Sequence, residues 1–128
     1  MLIDEKLTSE VIGAAIEVHR YWGPGLYEDI YERSLCEELK QRNIPFENQL
    51  SIPLLYKDIR VGDDLRLDLL VKRQVVVELK TVTELLPVHE AQILTYMRLT
   101  KCRIGLLLNF NVATMKMGIR RFILSPRS

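Results

Sequence analysis

The stretch from Leu65 to Lys80 limits what this chain can fold into more than any other. It reads Leu-Arg-Leu-Asp-Leu-Leu-Val, then Lys-Arg-Gln, then Val-Val-Val-Glu-Leu-Lys. Two runs of strand-forming residues around a short polar break predict a hairpin. Side chains alternate between faces along a strand. Leu65, Leu67, Leu69 and Val71 are therefore expected on one face, and Arg66, Asp68 and Leu70 on the other. In the second run Val75, Val77 and Leu79 share a face, and Val76, Glu78 and Lys80 share its opposite. A turn centred on Arg73 puts Asp68 directly across from Glu78, with Cβ atoms roughly 4.5–5.5 Å apart. Two carboxylates that close repel each other unless a cation lies between them. Lys80 follows two residues beyond Glu78 on the same face. Val75-Val76-Val77 is apolar on both faces, the mark of a central strand, where charges need partners or a task. Two readings fit the Glu-x-Lys pair: a metal-and-lysine cluster, or a solvated strand end.

Around this hairpin the chain divides cleanly. Leu7, Val11, Ala14, Ala15, Val18 and Trp22 keep helical spacing, with Thr8 as N-cap and Gly23-Pro24-Gly25 as the stop. A second helix is predicted from Leu26 to Arg42, ending at Asn43 before Ile44-Pro45. Within it Glu28, Tyr31 and Leu35 fall on one face, which carries Glu28 inward. Its carboxylate could equally serve the helix N-terminus. From Phe46 the positions Leu50, Ile52, Leu54 and Tyr56 predict a half-buried strand, near an edge because of Pro53. Lys57-Asp58 and Gly62-Asp63-Asp64 are turn-like. After the hairpin Pro87 opens a helix from Val88 to Thr100, with His89, Gln92, Ile93, Tyr96 and Leu99 on one side. His89 suits a surface helix start, and His19 lies on a helix flank without an evident partner. Ile104 to Leu108 reads as a strand buried on both faces, linked by a crossover. Met117-Gly118 turns into a last strand, Ile119 to Leu124, and only the final residues look loose. The expected class is α+β bordering on α/β, a mixed sheet flanked by helices.

Length and composition set the bounds. The 128 residues predict one domain spanning 1–128. No apolar run nears the ~18 residues that cross a membrane, and Asp4 and Glu5 stand where a signal peptide has a basic start. Cys36 and Cys102 have no metal spacing and read as reduced thiols of a cytoplasmic protein. The net charge of +1 hides an asymmetry. All 17 acidic residues lie at or before Glu90, whereas Arg98, Lys101, Arg103, Lys116, Arg120, Arg121 and Arg127 follow it. These basic residues either face a polyanion or scatter and pair with the acidic half. No zinc-protease, phosphate-loop, nucleotide-fold or serine-triad motif is present.

The order of elements and the polar positions together resemble the PD-(D/E)XK nuclease superfamily, and within it the small proteins named for a GxxExxY motif. Here that motif reads Gly25-Leu26-Tyr27-Glu28-Asp29-Ile30-Tyr31. The superfamily's acidic strand position matches Asp68, preceded by Leu67 rather than proline, and its (D/E)xK matches Glu78-Leu79-Lys80. Gln92-Ile93-Leu94-Thr95-Tyr96 resembles the Q-x-x-x-Y pattern of its exonuclease branch. Leu86 to Gln92 and Leu106 to Phe110 are also similar to stretches typical of the GxxExxY proteins. The resemblance spans about Leu7 to Leu124.

What the resemblance implies is definite chemistry. Glu28, Asp68 and Glu78 would hold Mg²⁺ or Mn²⁺, hard cations that suit carboxylate oxygens. Lys80, with Glu78 and Asp68, would form the catalytic set. Gln92 and Tyr96 would position the backbone of the nucleic acid or Lys80, unless Tyr96 is simply core. Arg120 and Arg121 are the candidate contacts to DNA or RNA. A metal-dependent phosphodiesterase is one reading, and a non-catalytic module that binds nucleic acid or a protein is the other. Specificity is not expected from this chain alone and would come from a homodimer or a partner protein. Glu28, Asp68, Glu78 and Lys80 are expected to converge in one small cleft.

Overall fold

The computed structural model describes residues 5–125. Arg127 and the end expected to be loose lie outside the described residues. Helix α1 covers Glu5–Trp22 and α2 covers Glu28–Gln41. Leu7, Val11, Ala14, Ala15 and Val18 of α1 are buried, a stripe at the three- and four-residue spacing that lays one helix face on a core. Thr8, expected as a cap, lies inside this helix. Gly23 ends it at φ 70° and its amide returns to the His19 carbonyl at 2.7 Å. Helix α2 starts two residues later than expected, at Glu28. It closes through Asn43 at φ 60°, a conformation asparagine tolerates better than most residues.

Strand β1 covers Phe46–Ile52 and stops at Pro53, which has no amide to donate. The single strand expected out to Tyr56 is thus divided. Leu55–Tyr56 (β2) and Ile59–Arg60 (β3) form a separate hairpin. Its turn residues Lys57 and Asp58 both have positive φ, as a tight two-residue hairpin turn of type I′ requires. Strands β4 (Leu65–Val71) and β5 (Val75–Lys80), helix α3 (Pro87–Thr100), strand β6 (Ile104–Asn109), a 3₁₀ turn (Met115–Gly118) and strand β7 (Ile119–Ile123) complete the chain. The main sheet runs β1-β4-β5-β6-β7. Among the described strands only β5 and β6 pair in parallel, and α3 is the crossover between them. The class is α+β: a mixed five-stranded sheet with helices packed on it.

Each sheet face has its own core. Val75, Val77, Leu79, Leu106 and Leu108 pack with α1 and α2, while Val76 and Leu107 pack with Ile93, Tyr96 and Met97 of α3. Along β5 and β6 the alternation is regular. Along β4 it is not, which corrects the expected face assignment. Leu69 and Val71 join the α1–α2 core, but Leu67 and Leu65, of the same parity, join the α3 core. Strand β1 reverses at the same level, since Phe46 packs toward α1–α2 and Leu50 and Ile52 toward α3. The pairing passes from Asn48↔Leu69 to Leu50↔Leu67 without a Gln49↔Asp68 rung. Gln49 stands at φ 54° there. A left-handed residue turns the strand over, so the two-residue period restarts beyond it.

The β4–β5 hairpin turns at Lys72 and Arg73, both with positive φ, and Gln74 N–H closes on the Val71 carbonyl at 2.9 Å. Its ladder runs Val71↔Val75, Leu70↔Val76, Leu69↔Val77 and ends. On the other side of β5 the pairing with β6 continues to Lys80↔Asn109, and Phe110 N–H extends it to the Lys80 carbonyl at 2.9 Å. Beyond Leu69 and Val77 the sheet is therefore split between β4 and β5 and intact between β5 and β6. The split opens at the Lys80 end.

That end is held by a close approach. A Cβ on Gly118 would lie 2.0 Å from the Asn109 backbone oxygen, a contact only glycine permits. Buried Asn109 clamps the segment after Lys80, its side chain accepting from Val82 N–H at 3.1 Å and donating to the Val82 carbonyl at 2.9 Å. Gly118→Ala is expected to cost about 1–3 kcal/mol, the scale of overpacking in a closed site. Urea melts of both proteins measure it, and an unchanged midpoint would show that the 3₁₀ turn yields freely.

Candidate functional site

The split in the sheet leaves backbone amides without ladder partners, and two carboxylates take them. Leu79 N–H donates to Asp68 Oδ2 at 2.9 Å, and Asp68 N–H donates to Glu78 Oε1 at 3.3 Å. Each side chain reaches across the gap to the other strand's backbone. No backbone rung pairs Asp68 with Glu78, yet their carboxylates lie within hydrogen-bonding reach of each other. Both are buried, Asp68 at 8% exposure and Glu78 at 4%. An unpaired buried amide costs about 1–3 kcal/mol, so this reciprocal arrangement substitutes for the missing rungs.

Helix α2 brings the third and fourth carboxylates. Its start is set by Tyr31, whose hydroxyl donates to the Gly23 carbonyl at 2.5 Å and accepts from Leu26 N–H at 3.1 Å. The Tyr31 ring is fully buried and stacks on Phe110, with ring centroids 4.7 Å apart. Between them Gly25 lies at φ 110°, open to little but glycine. The glycine, glutamate and tyrosine of the motif thus have distinct tasks: one lets the chain turn, one locks the turn, and Glu28 is the residue so delivered. One helical turn on, Glu32 faces the same way. Oxygens of Glu28, Glu32 and Asp68 lie within 4.8 Å of one another.

Glu32 was not among the residues singled out from the sequence. Its signal was the i, i+4 relation to Glu28, which counts on a helix face as much as the i, i+3 relation to Tyr31. Two amides hold it from β1: Asn48 Nδ2 donates to Glu32 Oε2 at 2.8 Å, and Gln49 Nε2 donates to the same oxygen at 2.7 Å. Gln49 Nε2 also reaches Asp68 Oδ1 at 3.3 Å. The left-handed backbone of a non-glycine residue such as Gln49 costs about 1–3 kcal/mol.

From the other side come Lys80 and α3. Lys80 Nζ donates to Gln92 Oε1 at 3.1 Å, and Gln92 Nε2 donates to Tyr96 Oη at 3.5 Å. Tyr96 is nearly buried in the α3 core while its hydroxyl joins this chain. Burial, then the charges of Glu78 and Asp68, raise the Tyr96 hydroxyl above its usual range. His89 is a helix-start residue, its Nδ1 accepting from Leu86 N–H at 3.0 Å. His19, read as a flank residue without a partner, is in fact buried and donates through Nε2 to the Val112 carbonyl at 2.8 Å.

The electrostatics record a crowd of acids. Burial, followed by the hydrogen bond to the Asp68 side chain, pushes Glu78 up to about 10. Glu28 is also raised, by burial and then by Asp68, while Lys80 pulls the other way on both. Without a cation Glu78 therefore holds a proton at neutral pH. Carboxylate oxygens are the donors that hard divalent cations take, and Glu28, Glu32 and Asp68 supply three at coordinating separation. The donor set fits such an ion. Glu78 sits beside that trio, one hydrogen bond from Asp68.

The basic residues do not gather. Arg98, Lys101 and Arg103 lie at or beyond the end of α3, at the Val75 end of the sheet, away from Lys80. Arg120 pairs with Leu107 on the α3 side and binds Glu90 at 2.7 Å. Arg121 pairs with Leu106 on the opposite side. No helix among the described residues is long and apolar enough to cross a membrane.

A family model for the PD-(D/E)XK nuclease superfamily matches residues 5–122. Neither the curated proteins nor the solved structures contain a significant match.

The raised Glu78 predicts a pH dependence. A carboxyl whose folded value exceeds its unfolded value stabilises fully below the unfolded value, and that contribution is lost as pH rises toward the folded one. Metal-free protein should therefore lose stability from about pH 5 to pH 9, by at most about 1.4 kcal/mol per pH unit for this group. Glu78→Gln, which keeps the oxygen facing Asp68 N–H, should flatten the slope and be the more stable form at pH 8. Urea midpoints in EDTA across this range test it, and parallel curves for both proteins would contradict it.

Proposed function

The chain belongs to the PD-(D/E)XK nuclease superfamily, and on that premise we propose that it is a metal-dependent phosphodiesterase acting on DNA or RNA. Within the superfamily we place it with the GxxExxY proteins, on the tasks that Gly25, Glu28 and Tyr31 perform here. A cytoplasmic setting suits the free thiols of Cys36 and Cys102. The observation that carries the reading is the gathering of Glu28, Glu32 and Asp68 oxygens within 4.8 Å of one another, beside the strand that carries Glu78 and Lys80.

Asp68, Glu28 and Glu32 would hold a Mg²⁺ or Mn²⁺ ion, with Glu78 beside Asp68 as a further ligand. When bound, such an ion lowers the pKa of a coordinated water and neutralises charge on the phosphate. The rest falls to the chain. Lys80, aimed by Gln92, offers an ammonium to the oxygens on which charge grows as the phosphorane forms. Gln92 is itself steadied by Tyr96, so α3 sets the direction of the Lys80 side chain. Burial of Asp68 and Glu78 keeps water from screening these charges.

Cleavage of single-stranded and duplex substrates should require Mg²⁺ or Mn²⁺, and Lys80→Ala should lower it by roughly 10²-fold or more. Activity that survives both EDTA and this substitution would belong to another site or a contaminant. The dispersal of the basic residues favours a second reading, a module that keeps the fold and binds nucleic acid or a protein without cutting. Mn²⁺ uptake with no cleavage of any substrate would select it.

Binding separates the two arginines. Arg120 is held by Glu90, whereas Arg121 pairs with no side chain among the described residues. For phosphate contacts, Arg121→Ala should reduce the salt slope of binding by about 1 and Arg120→Ala by less. Mobility shifts at several salt concentrations measure this, and a slope unchanged by either substitution would remove both residues from the interface.

A further inference from the structure

We propose that Gln49 is a positioning residue for the carboxylate site, kept in a left-handed conformation so that its amide can bridge Glu32 and Asp68. The proposal rests on the metal-site reading above and names how this chain builds that site. In a regular strand, neighbouring residues point to opposite faces. Asn48 and Gln49 are neighbours in β1, yet both amides donate to the same oxygen, Glu32 Oε2, at 2.8 and 2.7 Å. Only a break in the strand allows that, and the break is at Gln49, at φ 54° and without a ladder rung to Asp68.

The side chain then does what no ladder bond could. Nε2 has two hydrogens: one goes to Glu32 on α2, the other to Asp68 Oδ1 on β4 at 3.3 Å. Asn48 adds a bond to the Asp68 carbonyl at 3.0 Å, fixing the same residue from its backbone. Two carboxylates from different elements are thereby drawn to one neutral donor, which eases their mutual repulsion and holds both within 4.8 Å of Glu28. Glycine would adopt this backbone without strain, but it has no amide to offer. Partners that orient ligands in this way typically govern metal affinity by 10- to 100-fold.

The strain and the amide can be separated by substitution. Gln49→Gly relieves the backbone and deletes the donor, whereas Gln49→Ala deletes the donor and keeps the strain. Mn²⁺ binding, followed by the loss of the free-ion electron paramagnetic resonance signal, should weaken about 10- to 100-fold in both variants. Urea midpoints in EDTA should stay level or rise for Gln49→Gly and fall for Gln49→Ala. A residue that merely shapes the strand predicts instead that glycine keeps Mn²⁺ affinity together with stability. Parent-like Mn²⁺ affinity in Gln49→Gly would overturn this proposal alone. A parent protein that takes up no Mn²⁺ at millimolar concentration would overturn both it and the metal-site reading.

Discussion

Two carboxylates that cap each other's backbone carry the rest of this structure. Where β4 and β5 part, Asp68 and Glu78 replace the lost rungs with side-chain bonds to Leu79 and Asp68 N–H. A split sheet is otherwise an unfavourable object, because it exposes or buries amides that nothing satisfies. Here the polar groups that make the split tolerable are also those with chemistry to offer. Stability and site are built from the same atoms, and the suppressed acidity of Glu78 is the cost of that economy. Its carboxyl is neutral when no cation is present because the fold needs it buried next to Asp68.

Everything else delivers charge to that gap at a controlled angle. The Tyr31 hydroxyl fixes where α2 begins and so where Glu28 and Glu32 project. Asn109 and Gly118 fix the chain just past Lys80, and Gln92 fixes the Lys80 side chain. These supports come from four separate elements, yet all meet at the end of β5. A central strand flanked by an intact neighbour on one side and an absent one on the other gives a rigid floor with an open wall.

Much of this was readable in the residues. Val75 to Val77 marked the central strand, and the register followed from centring the turn on Arg73, since Leu69↔Val77 and Val71↔Val75 obey the same constant. Asp68, Glu78 and Lys80 stood out because charges inside apolar runs demand a reason. What escaped was whatever depended on departures from regularity. The period of two assigned Leu67 to the wrong core because nothing in Asn48-Gln49-Leu50 announces a left-handed residue. The expected strand through Tyr56 ignored how completely Pro53 stops a ladder. Glu32 was overlooked for a different reason, as one of many acids on an exposed-looking helix, distinguishable only once β1 was known to lie beside it. The basic C-terminal third shows the limit of counting charge: opposite strand faces and the far end of α3 disperse what the linear sequence had clustered.

The interruption at Gln49 has a consequence for the protein's behaviour in a crowd. Strand β1 is an edge of the main sheet, and an unbroken edge is a template on which another chain can add a strand. Turning over at Gln49 and ending at Pro53, β1 presents only Phe46 to Asn48 and Leu50 to Ile52 as regular segments, rotated so that they face different ways. An incoming strand cannot follow both. The same residue that draws two acids together thereby also shortens the regular template this edge presents.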